Sequence, residues 1–258
     1  MVEGPTAKAY VIKIGQEFKD EIVNDVFVKS SRRIYVPPKD FVGLRFLNAD
    51  SLGKNIILLF NGLAVRIHLM MFGAIHIYNI DEGLLKPERL VRLLIKGIRK
   101  KLVVYNAPIV ELDTAERLLS RVKSGLGPDP LSRDWSRQKA IENLLRLRDE
   151  KVGVALLNQS VIAGIGNILR NEILFRAGIN PERIVQTLTK AEVERIVEAC
   201  ENLSGEFLKI KIEGKRLKPL LLVYNNYRGT CKICGGKVRF YMQQPIKRKT
   251  FVCVNCQR

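Results

Sequence analysis

Four of the five cysteines, Cys231, Cys234, Cys253 and Cys256, stand close to the end of the chain in the pattern C-x2-C-x18-C-x2-C. Each C-x2-C pair fits a short turn presenting two thiolates, and the residues between the pairs suit a β-hairpin, so the spacing predicts one tetrahedral Zn2+ site. Four thiolates leave no open coordination position, which makes the expected zinc structural. Free buried thiols are a weaker reading of this spacing, and disulfides are weaker still in an intracellular chain. Cys200 stands apart, in an amphipathic stretch, and reads as a small core residue.

The expected hairpin carries Lys237, Arg239, Lys247, Arg248 and Lys249, interleaved with Phe240, Tyr241 and Phe251. Basic residues alone usually mark a solvated face. Here they belong to a chain with 44 Lys and Arg against 26 Asp and Glu, a formal charge of +18. Residues 205–258 hold Glu206 and Glu213 as their only acids, so the surplus is concentrated around the cysteines. A metal-stapled basic hairpin in such a chain reads as a nucleic-acid finger, with charges that neutralise phosphates. The two histidines, His68 and His76, fit no zincin spacing, which argues against hydrolytic zinc chemistry. No apolar run reaches the ~18 residues of a membrane span, and the N-terminus lacks the pattern of a signal peptide. The expectation is an intracellular protein with no membrane partner.

At roughly 150 residues per domain, 258 residues favour two modest domains. The first half reads as β-rich. Residues 55–60 and 63–70 flank Asn61-Gly62, the dipeptide best suited to the two positive φ angles of a type I′ hairpin turn. Further strands are expected at 25–30, 74–80 and 101–105. A helix should precede them, with Pro5 in its first turn and Gly15 at its exit. Gly125-Leu126-Gly127-Pro128-Asp129-Pro130 has the composition of an inter-domain connection. Beyond it, apolar positions recur at three and four over 137–148, 154–161, 167–177 and 190–208, predicting four helices. The expected divisions are an N-terminal domain over 1–124, a linker over 125–136, a helical domain over 137–225 and the zinc finger over 226–258.

Residues 156–168 pass from one expected helix through a small-residue turn, Ala163-Gly164-Ile165-Gly166, into another. The Gly164-x-Gly166 pair lacks the third glycine and preceding strand of a dinucleotide site. Glycine amides ahead of a helix N-terminus suit an anion, which in a basic protein suggests a DNA phosphate; a plain packing joint between helices is the alternative.

Taken together, these segments resemble the formamidopyrimidine-DNA glycosylase / endonuclease VIII family of base-excision repair enzymes. The resemblance runs through Glu3-Gly4-Pro5, Ser51-Leu52-Gly53-Lys54, His68-Leu69 with Met71, residues 126–131, residues 156–181 and residues 231–257. The run from Ala163 to Asn167, with Glu172, Leu174-Phe175 and Ala177-Gly178-Ile179, is the most specific part. It implies an α+β fold: an N-terminal β-sandwich with a flanking helix, then a helical domain with a helix-two-turns-helix and a β-hairpin zinc finger. Two departures stand out. Position 2 is Val2 where the family commonly has proline, as in a subset of the eukaryotic endonuclease VIII-like branch. Residues 107–111 resemble a loop that inserts an arginine and an aromatic into the gap left by a flipped base, yet neither residue type is present.

The resemblance implies a bifunctional DNA glycosylase and AP lyase acting on damaged DNA, single- or double-stranded, as a monomer. Val2 would be the nucleophile once Met1 is removed. An α-amine, with a reference pKa of about 7.7 to 8.0 against about 10.4 for lysine, is the more available attacker at neutral pH. Glu3 would act as general acid and base, and Lys54 would hold the phosphate beside the lesion. Met71 matches the family's wedge, and Asn167 with Arg248 its phosphate-gripping pair. Without the inserted arginine and aromatic, and with a short connection over 209–222 where the family covers oxidised purines, oxidised pyrimidines and over-oxidised guanine products are expected above 8-oxoguanine. Single strands are expected to be processed at least as well as duplex. The competing reading is a catalytically silent nucleic-acid-binding zinc-finger protein on the same scaffold.

Overall fold

A computed structural model describes residues 2–29, 33–227 and 229–258. Its elements run α1 (Gly4–Glu17), β1 (Asp25–Val28), β2 (Phe46–Leu52), β3 (Asn55–Phe60), β4 (Leu63–His68), β5 (Ala74–Asn79), β6 (Val91–Lys96), β7 (Lys100–Tyr105), β8 (Ile109–Thr114) and α2 (Ala115–Ser124). There follow α3 (Arg137–Arg146), α4 (Val152–Ala155), α5 (Asn167–Ala177), α6 (Lys190–Ile212), β9 (Val238–Gln243) and β10 (Arg248–Cys253). The chain divides into two compact units: Val2 with Thr6–Ser124, and Glu3–Pro5 with Gly125–Arg258.

The first unit holds two antiparallel four-stranded sheets, ordered β1-β6-β7-β5 and β2-β3-β4-β8. Their inner faces share one core with α1, through Val11 and Ile14 of the helix, Phe18 just beyond its end, and Phe46, Phe60, Ile67 and Leu93 of the strands. Ile14 and Phe18 are both buried, and the Phe18 N–H donates to the Ile14 carbonyl at 2.9 Å, which continues the helical turn just past the end of α1. This packing carries α1 past Gly15, the expected exit, to Glu17. The β3–β4 hairpin turns at Asn61-Gly62 as expected, but only Gly62 has positive φ (+76°), so the turn is not type I′.

The β-rich reading missed β2, β6 and β8. The last takes in Ile109–Glu111, so of the segment 107–111 read as an insertion loop only Ala107 and Pro108 lie outside a strand. In β8, Val110 and Leu112 face the core while Glu111 and Asp113 face the other way and meet Arg121; Glu111 also accepts from Arg66 at 3.0 Å. This is ordinary strand alternation.

The second unit builds its core from α3 to α6, with Leu169, Ile173, Val193, Ile196 and Cys200 among its buried residues. The helix expected over 154–161 is reduced to the single turn of α4. Asn158 ends it by accepting from the Ser160 N–H (3.0 Å) and hydroxyl (2.8 Å), a local bond that competes with helix. Gln159 then staples the following turns. Its amide donates to Leu157 and Ile165 carbonyls and its oxygen accepts from Gly164, each at 3.0 Å. The finger is the β9–β10 hairpin, paired in register from Arg248↔Gln243 to Cys253↔Val238.

Candidate active site

Val2 is buried, and its nitrogen donates to the Met70 carbonyl at 2.9 Å. With Met1 attached this nitrogen is a peptide N–H; after Met1 removal the same atom is the α-amine. Met1 itself lies outside the described residues. Met70 sits in a turn just past β4 and holds a positive φ of 51°. Its own N–H donates to His68 Nδ1 at 3.2 Å. Burial, with Arg66 and Lys54 nearby, pulls the His68 imidazole down to about 4. His68 is therefore neutral at physiological pH, as an acceptor at Nδ1 must be.

Lys54 lies half-buried in the two-residue turn between β2 and β3, preceded by Gly53 at φ +59°. A positive φ at the first turn position only is the type II′ pattern, which favours glycine there. Antiparallel register pairs Ile56 with Ile67, which brings the Lys54 turn to the same sheet end as His68 and the Val2 anchor. Met71, two residues beyond the end of β5's preceding loop base at Leu69, is exposed.

Glu3 is fully buried, and its carboxylate accepts from the N–H groups of Ile168 (2.7 Å) and Leu169 (3.0 Å). These are first-turn amides of α5, unsatisfied by the helix itself and suited to negative charge. The glycines make room for this arrangement. A Cβ at Gly166 would lie 2.4–2.5 Å from Glu3 side-chain atoms, and one at Gly4 would lie 2.8 Å from the Gly164 Cα. Gly4 N–H donates to the Gly164 carbonyl at 2.9 Å, with Gly164 at φ +88°. The anion at this helix N-terminus is thus the chain's own carboxylate, which corrects the reading of the glycine turn as a phosphate cradle.

Asn167 and Arg248 are brought near one another, since the Asn167 amide donates to the carbonyl of Lys249 at 3.0 Å. That one carbonyl also accepts from Arg170 (3.1 Å) and Asn171 (3.2 Å), while the Asn171 side-chain oxygen accepts from the Phe251 N–H. Arg248 itself is exposed at the start of β10. Arg170 is fully buried and binds Gln243 and Thr250 as well, so α5 clamps both finger strands. Burial pulls its guanidinium down to about 10, still charged at neutral pH. Glu172, also buried, accepts from the N–H groups of Leu222, Val223 and Tyr224, fixing the segment that leads into the finger. Sequence reasoning missed Arg170 and Asn171. Their signal is the polar spacing Asn167, Arg170, Asn171, at i, i+3 and i+4 on a helix otherwise rich in apolar residues.

The Cys231, Cys234, Cys253 and Cys256 sulfurs lie within 4.8 Å of one another. Sγ separations of 3.8 Å (Cys231–Cys256) and 3.5 Å (Cys234–Cys253) match the roughly 3.8 Å edge of a tetrahedron with ~2.3 Å metal–sulfur bonds. N–H groups of Ile233 and Gly236 point at Cys231 and Cys234 sulfurs, as bonds to thiolates do. The donor set fits a metal, and zinc best. Cys200 is buried in the helical core, where burial pushes its thiol up.

Comparison with known proteins places these sites in context. Residues 126–218 match the Formamidopyrimidine-DNA glycosylase H2TH domain. The formamidopyrimidine-DNA glycosylase of Gluconobacter oxydans is 33% identical over 79% of this chain and 78% of its own. The chain belongs to the formamidopyrimidine-DNA glycosylase / endonuclease 8 family. Within it, a probable endonuclease 8 of Streptomyces coelicolor is 28% identical over the whole chain and 94% of its own length. Among solved structures, Lactococcus lactis Fpg in complex with abasic-site DNA superposes with a TM-score of 0.88 at 21% identity, covering 99% of both chains, and so shares the fold. Among the described residues no helix is long and apolar enough to cross a membrane.

Proposed function

We propose that this family member is a bifunctional DNA glycosylase and AP lyase of base excision repair, with the α-amine of Val2 as nucleophile. The observation that carries this reading is the buried Glu3 carboxylate held on the two α5 amides, on the residue that follows Val2 in the sequence. The amine attacks C1′ of the damaged nucleotide, forming an N–C bond as the glycosidic bond breaks and the base leaves with the electron pair and a proton. The C1′–O4′ bond then breaks, the ring oxygen leaving with the electron pair and taking a proton, as the nitrogen lone pair forms C1′=N; this gives the iminium, or the imine once an N–H proton is lost. A base then removes a C2′ proton, and the C3′–O bond breaks with the 3′ phosphate as leaving group. Glu3 moves protons at the opening sugar and the amine. Lys54 and Arg248 bind flanking phosphates, Met71 is the wedge, and Asn167 holds the finger where Arg248 can act. Zinc on the four cysteines would hold the finger hairpin.

Oxidised pyrimidines and over-oxidised guanine products are the proposed substrates, above 8-oxoguanine. The support is the chain over 213–222, a connection of ten residues after α6, too short to form a cover for a purine. Single strands are proposed to serve at least as well as duplex, because β8 offers no arginine or aromatic to fill an emptied stack.

The test is strand nicking of abasic DNA by the wild-type chain and Glu3→Gln. The expected result is efficient nicking that falls about 100-fold or more in the variant, the usual contribution of a positioned acid–base group. Nicking that is undiminished in Glu3→Gln would overturn the assignment.

A further inference from the structure

On the side of β4 and β8 that Arg121 of α2 reaches, polar side chains form a line that leads to the Lys54 turn. Arg121 bonds one oxygen of the buried Glu111 carboxylate, and the other oxygen accepts from Arg66 at 3.0 Å. In the sheet register Arg66 stands between Glu111 on β8 and Ile57 on β3. Its Nε reaches past Ile57 and donates to Asn55 Oδ1 at 2.9 Å, two residues nearer the β2–β3 turn. The amide nitrogen of Asn55, itself buried, donates to the Leu52 carbonyl at 2.9 Å, a bond that spans Gly53 and Lys54.

Stability alone does not account for this line. Apolar side chains of similar volume would serve as well beside Leu118 and Val122 of α2, because a buried Arg–Glu pair must first be stripped of water. What the guanidinium adds is direction. It only donates, so it bonds the amide oxygen of Asn55 and leaves the amide nitrogen facing the Leu52 carbonyl. The orientation of Asn55 is thus set from β8, two strands away, and with it the backbone from which Lys54 projects.

We propose that Arg66 is a positioning residue, acting through Asn55 to fix the turn that carries Lys54 to a DNA phosphate. The inference rests on the reading of Lys54 as a phosphate-binding group. Glu111 and Arg121 anchor the guanidinium, and Arg66 itself touches no DNA. A lysine on a fixed turn gives up less freedom on gripping a phosphate than one on a turn that sways, so the line contributes affinity without a contact of its own.

The experiment measures binding of DNA carrying a stable abasic analogue by the full chain, as a function of salt. Variants are Lys54→Ala, Asn55→Ala and Arg66→Met, and the last two each combined with Lys54→Ala. Lys54→Ala should bind about tenfold more weakly, with the slope of log affinity against log salt shallower by about one, as loss of one phosphate contact gives. Asn55→Ala and Arg66→Met should each weaken binding about threefold or more and make the slope shallower, although Asn55 carries no charge. Added to Lys54→Ala, both should change affinity by less than about 1.5-fold, the non-additivity of residues that act through one another. Asn55→Ala keeps the Arg66–Glu111 pair, so the test stands even where Arg66→Met fails to fold. Wild-type affinity in Asn55→Ala, or the same fold-loss with and without Lys54, would overturn the proposal. A further fall in slope on adding Arg66→Met to Lys54→Ala would put Arg66 itself on a phosphate and overturn it too. If Lys54→Ala binds like wild type, the phosphate reading of Lys54 fails first and takes this one with it.

Discussion

Glu3 and Gly166 are matched residue to residue: the carboxylate fills the space a side chain at 166 would need. Gly166→Ala should therefore displace Glu3 and cost activity on a scale similar to Glu3→Gln. Nicking of abasic DNA, read against the circular dichroism of the folded variant, checks this; full activity would show that the carboxylate tolerates displacement. His68 carries a pH signature. Its pKa is about 4 in the folded chain, below the ordinary 6.5, through burial first and then Arg66 and Lys54. Between those values the unfolded chain binds the extra proton, so this contribution to stability is complete above pH ~6.5 and is lost as pH falls towards 4. Melting temperatures of wild type and His68→Asn from pH 4 to 7 should converge at the acid end. A constant difference across the range would contradict the neutral, half-buried imidazole.

At the scale of elements, α5 decides where the finger stands. Arg170→Met leaves the Lys249 carbonyl, Gln243 and Thr250 short of a buried donor, and should cost about 3 kcal/mol or more in chemical unfolding, with weaker DNA binding. α6 has a milder dependence. Thr189 and Glu192 form a reciprocal capping box, and Thr189→Ala should cost about 1 kcal/mol. How far the sequence announces its elements follows from what stabilises each one. The cysteine spacing and the β3–β4 hairpin were legible because their signals are local. β8 was not, although Val110-Glu111-Leu112-Asp113 alternates as a strand should, because its acidic face is balanced by Arg66 and Arg121 from other elements. The helix expected over 154–161 failed for a similar reason: its apolar spacing was real, but Asn158 and Gln159 bond locally and end it. Val2, Glu3 and Lys54 stand out in the sequence only through the motifs they belong to, and the roles proposed for them rest on that resemblance. The Met70 carbonyl, the α5 amides and the Arg170 clamp were not legible, because backbone partners and buried tertiary contacts leave little mark on a sequence.

For the whole molecule, the finger and the β-sandwich should respond differently to loss of metal. Chelation should abolish DNA binding while the strand signal in circular dichroism largely persists, since the sandwich core contains no cysteine. Metal-free protein with full affinity would contradict a zinc-held finger. The central claim concerns one nitrogen, and borohydride reduction tests it most directly. Purified protein is incubated with abasic DNA, reduced and digested, and the cross-linked peptide is sequenced by mass spectrometry. The account predicts a covalent adduct on the α-nitrogen of Val2, with none in protein that retains Met1. An adduct on Lys54 or another lysine, or equal trapping by the Met1-retaining form, would contradict it.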